Sequence, residues 1–213
     1  MPKPLTLLAL VIALPLAASC GSGGPNTPHV TPATALATTV ARSAGPKPAK
    51  LVLHLSDLGY GYLVDPESGA VSLRQELNTD LLATSKAADR AGYLGGHRMY
   101  FVDGAKDVVM DVALLYRPGP YMAEVTADLT PIHRLLRAWG ALPVALPAAA
   151  PGTHRQMFYG LDNEDGVAVP AYLYMWRHGT VLNELFLFGR HVSVARVVTL
   201  AVKQNDRQTR LGL

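Results

Sequence analysis

Residues 167–188, VAVPAYLYMWRHGTVLNELFLF, decide the fold. Two runs rich in β-branched and aromatic residues flank His178-Gly179, so the stretch reads as a hairpin of strands 167–177 and 180–188. A two-residue turn there puts Trp176 opposite Val181, Met175 opposite Leu182 and Tyr174 opposite Asn183. Alternation places Tyr172, Tyr174 and Trp176 on one face, with Leu173, Glu184 and Phe186 on the other. Both faces are largely apolar. A strand pair covered on both sides suits the middle of a sheet with helices packed on it, not an open meander with one wet face.

Working outward, Val108, Met110, Val112, Leu114 and Tyr116 alternate along a strand that stops at Arg117-Pro118-Gly119-Pro120. Residues 60–64, 93–102 and 157–161 read as further strands, and 144–146 as an edge strand inside the Pro- and Ala-rich stretch 142–152. Asp65-Pro66-Glu67-Ser68-Gly69 and Asp162-Asn163-Glu164-Asp165-Gly166 read as turns.

Helical signals lie between the strands. Residues 80–90 favour helix with Thr79 as N-cap and Gly92 as C-cap, and 51–58 suit a short helix stopped at Gly59. Met122, Val125, Leu129, Ile132, Leu136 and Trp139 recur every three or four residues, and Thr130 before Pro131 splits that stripe into two helices. Ser193 caps a last helix lined by Val194, Val197, Val198 and Ala201. The expected class is α+β: a mainly antiparallel β-sheet flanked by helices in a single domain, residues 50–213.

The charge of that domain is balanced. Of 19 basic and 16 acidic residues, Lys3, Arg42 and Lys47 precede Lys50, so 16 of each remain from Lys50 onward. A balanced charge gives no warrant for a nucleic-acid surface, which needs basic residues clustered on one face, and nucleic acid is not an expected partner.

The N-terminal end has a different logic. Residues 5–16, LTLLALVIALPL, form an uncharged run of twelve after Lys3, too short to cross a hydrocarbon core and typical of an export signal. Leu16-Ala17-Ala18-Ser19-Cys20 resembles the lipobox of bacterial lipoproteins, with alanine at 17 where leucine is usual. The resemblance implies removal of 1–19 and a diacylglyceryl group on Cys20, the sole cysteine. Without the lipid, the same residues read as an ordinary secretory signal that leaves Cys20 a free thiol. Two acyl chains hold a protein on a membrane where one is marginal, so the expected localisation is exported and anchored on the extracytoplasmic side. Between Gly21 and Ala49, 22 of 29 residues are Gly, Pro, Ser, Thr or Ala. Residues 20–49 therefore read as a disordered, lipid-anchored spacer with a reach of roughly 30 Å.

The order LSDL-x-x-GY, AGYLGGHRMYF, YMWRHGTVLNELF and LAVKQNDR is similar to uncharacterised secreted lipoproteins of high-GC bacteria. The layout resembles Mog1/PsbP-like domains, which are used as exported or accessory binding modules. The resemblance implies a fold and names no reaction.

Motifs for chemistry are sparse. The seven histidines, His29, His54, His97, His133, His154, His178 and His191, lack zinc-site spacing, and the 162–166 acids miss the register of a calcium loop. Asp65 and Glu67 read as solvated turn carboxylates. There is no G-x-S-x-G elbow and no phosphate-loop motif. The expected sites are thus Cys20 for lipid attachment, with no catalytic residue, metal or cofactor. Tyr172, Tyr174 and Trp176 with Asn183 have the ingredients of a ligand pocket, and equally those of a core. Glu184 reads as an exposed strand end, or if buried as a partner of Arg98 or Arg155. The expected function is a non-enzymatic module that binds a small molecule or an envelope protein. The alternative is a cell-envelope hydrolase whose site assembles in space.

Overall fold

Strands whose residues are apolar on both sides build the middle of one sheet. The computed structural model describes residues 45–72, 92–119, 136, 140–164 and 167–213, of which 162–164 are described by backbone alone. From Pro46 to Leu213 the chain forms a compact unit. Its strands are β1 (Tyr62–Val64), β2 (Gly69–Val71), β3 (Tyr93–Asp103), β4 (Val108–Tyr116), β5 (Leu142–Pro143), β6 (Thr153–Glu164), β7 (Val167–His178) and β8 (Val181–Phe188). The described helices are α1 (Leu55–Leu58) and α2 (Val194–Arg210), after a 3-10 turn at Pro48–Lys50. Leu136 is helical and buried. The expected helices at 80–90 and 122–139 otherwise lie outside the described residues, as do the leader, the spacer up to residue 44 and Cys20.

All strand pairs are antiparallel, in the order β1-β3-β4-β8-β7-β6-β5, and β2 shares the outer edge of β3 with β1. The architecture is α+β. Beneath α2, Phe101, Val109, Tyr174, Trp176, Leu185 and Leu187 meet Val197, Leu200 and Ala201 in the main core. Full burial of each aliphatic side chain stabilises by about 1.5–3 kcal/mol. Val71, Val112, Leu114, Tyr116 and Leu182 form a second buried cluster on the opposite face. Ser193 caps α2, its Oγ accepting from the Arg196 N–H at 3.3 Å.

The central hairpin differs from the expected register. Trp176 stands opposite Asn183, Tyr174 opposite Leu185 and His178 opposite Val181, so the turn is Gly179-Thr180. Gly179 takes φ +54 at the first central position, where the primed turns of two-residue hairpins call for a positive φ. Every pairing moves by two residues, and each side chain therefore keeps its expected face. Glu184 is not an exposed strand end. It is half-buried in mid-strand, opposite Met175 and Val112, and Arg98 flanks Val112 from β3 in the same row.

Residues 51–58 also depart from expectation, because the helix occupies Leu55–Leu58 alone. Side chains replace helical bonding in the preceding residues. The Leu53 N–H donates to Asp111 Oδ2 at 2.5 Å, Gln208 Nε2 donates to the Leu51 carbonyl at 2.9 Å, and Arg207 Nη1 donates to that of Val52 at 3.0 Å. With these backbone groups satisfied, Leu51, Val52 and Leu53 are free to bury completely. Residues 144–146 are not a strand either. Pairing ends at Pro143, and Val144 and Leu146 pack against the main core.

Candidate functional site

An irregularity in β6 borders a groove on the described surface. Thr153 pairs with Arg177 and Gln156 with Met175, so β6 carries one extra residue, and His154 takes φ +50 at that point. Such a bulge re-aims the side chains beside it. On the outer edge β5 covers only Phe158 and Tyr159, and the Val144 N–H donates to the Met157 carbonyl at 2.8 Å. The groove between β6 and the 141–146 segment has a volume of about 450 Å³, within the range of small-molecule sites. Leu136, Ala141, Val144, Leu146, Met157 and Phe158 give it an apolar lining. Arg155 is the charged residue among its described lining, and Gln156 the neutral polar one.

Arg155 is steadied from behind. Its Nη1 donates to the Ala150 carbonyl, while the Tyr174 hydroxyl donates to that of Pro151 at 2.6 Å. Burial pushes the Tyr174 pKa up to about 12 against the opposing pull of the Arg155 charge. The hydroxyl therefore stays neutral.

The aromatic set that had a pocket's ingredients is core. Tyr174 and Trp176 are fully buried and stacked with centroids 4.8 Å apart, and Tyr172 packs on Tyr159 at 5.1 Å. Asn183 belongs to a buried polar network instead. Its Oδ1 accepts from Gln204 Nε2 at 3.0 Å and Gln208 Nε2 at 2.6 Å, and its Nδ2 donates to Gln208 Oε1 at 3.2 Å. Asp111 lies in the same buried layer. Burial raises its pKa to about 7 despite the Leu53 N–H, the Gln204 amide and the Arg207 charge, all of which pull it down. Asp111 Oδ1 and Gln204 Oε1 are buried without a described donor, an arrangement that favours a proton over a charge.

Nothing in the sequence motifs signals a second polar pair. Asp107, nearly fully buried, accepts from the backbone N–H of His191 at 3.3 Å and lies 3.1 Å from its Nδ1, joining the β3–β4 turn to the approach to α2. No hydroxyl nucleophile bonds this exposed histidine among the described residues. Packing makes the contact exacting. A Cβ on Gly189, at φ +135, would lie 2.2 Å from Asp107 Oδ1 and 2.7 Å from its Cα. Gly189→Ala is expected to cost about 3 kcal/mol, read as a lower urea midpoint at unchanged slope.

The other histidines are dispersed. His54 precedes α1, with its N–H donating to Asp57 Oδ2 at 2.7 Å, and His178 Nε2 lies 3.1 Å from the Leu213 carbonyl oxygen. Burial lowers the pKa of both His54 and His97. His29 and His133 lie outside the described residues. The Glu67 N–H donates to Asp65 Oδ1 in an exposed turn, and Glu164 on β6 pairs with Val167 on β7. Among the described residues no three metal-ligating side chains gather.

No family model matches the chain, and no curated protein matches it. Among solved structures it is similar to the extracellular domain of PknH from Mycobacterium tuberculosis. That likeness has 10% identity, covers 74% of this chain and 94% of that one, and has a TM-score of 0.41.

Proposed function

We propose that this is an exported lipoprotein of the secreted bacterial family it resembles, held on the extracytoplasmic side of a membrane by a diacylglyceryl group on Cys20. The folded unit, which begins at Pro46, then acts as a non-enzymatic binding module, joined to the anchor by the Gly-, Pro- and Ala-rich residues before it. The groove beside β6 carries the binding part of this reading: an apolar concavity with few polar groups is the ordinary form of a small-molecule site. The anchoring part is supported by the apolar run at 5–16 and by the single cysteine four residues beyond it. Metabolic labelling with a clickable fatty acid tests it. Wild-type protein is expected to take the label and partition with membranes, and Cys20→Ala to lose both properties. Label retained by Cys20→Ala would remove the anchor from this position.

A further inference from the structure

We infer that the groove takes a free, single-chain anionic amphiphile, with its apolar tail along Met157, Val144 and Leu146 and its anionic head on Arg155. This inference rests on the groove being the binding site, and deepens that reading by naming the ligand's chemistry.

At residues 157–159, beside the groove, the backbone leaves no room for an extended peptide. A strand added to β6 would need the free groups of its outer edge, but Val144 already donates to the Met157 carbonyl, and β5 pairs with Phe158 and Tyr159. Pro143 contributes no N–H on that edge. Recognition therefore falls to side chains.

Those side chains are one-sided in charge. Arg155 lies among the lining residues with no carboxylate in the described set. A guanidinium has five N–H donors, of which one goes to the Ala150 carbonyl, and the planar fork suits a carboxylate bidentately. The bulge at His154 precedes Arg155, and Met157 follows two residues later on the same strand. A polar head and an apolar tail therefore find their partners along one short stretch. A volume of about 450 Å³ suits one chain rather than the two of a membrane lipid.

Calorimetric titration of the full chain with octanoate and with octan-1-ol separates head from tail. Octanoate is expected to bind at least tenfold more tightly than octan-1-ol, and Arg155→Gln to bring the two within about twofold while Arg155→Lys keeps part of the preference. With methyl-labelled methionine, octanoate is expected to shift the Met157 resonance, assigned by its loss in Met157→Leu. Equal binding of acid and alcohol with the Met157 shift would overturn the anionic class and leave the groove standing. Binding of neither ligand, or binding without that shift, would overturn the groove as the site.

Discussion

Wild-type stability is expected to fall by about 3 kcal/mol between pH 4 and pH 7 through Asp111 alone, and Asp111→Asn is expected to abolish that component. In the folded protein the Asp111 pKa stands at about 7, raised by complete burial beneath α2, against 3.8 for an ordinary aspartate. The sign follows from proton uptake. Below the lower value both folded and unfolded chains hold the proton, and Asp111 makes no difference to stability. Between the two values the unfolded chain releases it while the folded chain keeps it, so folding loses about 1.4 kcal/mol per pH unit. Above the upper value the loss is complete and constant. His54 and His97, with lowered pKa values, act in the opposite sense, favouring the folded state as pH rises toward 6.5. The measurement is therefore the difference between wild-type and Asp111→Asn urea midpoints across pH 4 to 8. Asparagine keeps an oxygen for the Leu53 N–H and cannot ionise. Asp111→Leu, which orphans that buried N–H, is expected to be less stable than Asp111→Asn by about 1–3 kcal/mol. A wild-type minus asparagine difference that is flat with pH would mean the carboxyl is ionised in the fold.

Trp176→Ala is expected to cost about 3–5 kcal/mol, and Trp176→Phe about 1–2 kcal/mol. The indole is fully buried, stacks on Tyr174, and lies so close to Gly152 that a Cβ there would come within 2.3 Å of its Cδ1. Its Nε1 has no described acceptor, so phenylalanine forfeits volume and contact but no hydrogen bond. Urea unfolding of the two variants beside wild type decides the role of the aromatic set. A wall of a ligand pocket would tolerate alanine with little change in stability. A core layer would not.

The same residues show where sequence patterns reach and where they stop. Alternation in 167–188 places Trp176, Tyr174 and Asn183 on one face and Glu184 on the other, and the folded hairpin keeps those faces. The expected turn at His178-Gly179 sets Trp176 opposite Val181, whereas the folded hairpin sets it opposite Asn183. A shift of two residues leaves every inward side chain inward, so period-two patterning is blind to it; the turn at Gly179 selects the register. Residues 51–58 show the converse. Their leucine spacing suits a helix, but side-chain groups of Asp111, Gln204, Arg207 and Gln208 claim backbone groups of the first three residues.

The candidate groove has no signature in the sequence. Arg155 and Met157 are ordinary strand residues until the bulge at His154 and the proline-ended β5 leave a concavity beside them. Asp111 looks like a polar break in an apolar strand, because the Leu53 N–H that it holds lies 58 residues earlier in the chain.

Local chemistry by itself determined the long central strands and the last helix: alternating β-branched and aromatic residues made β4, β7 and β8, Arg117-Pro118 ended β4, and the Ser193 hydroxyl opened α2. The Cys20 reading also comes from local sequence alone. Tertiary structure decided the hairpin partners, the burial that raises the Asp111 pKa and the groove at Arg155. Each of those depends on burial and on groups brought together from distant parts of the chain, and short-range periodicity carries no information about either.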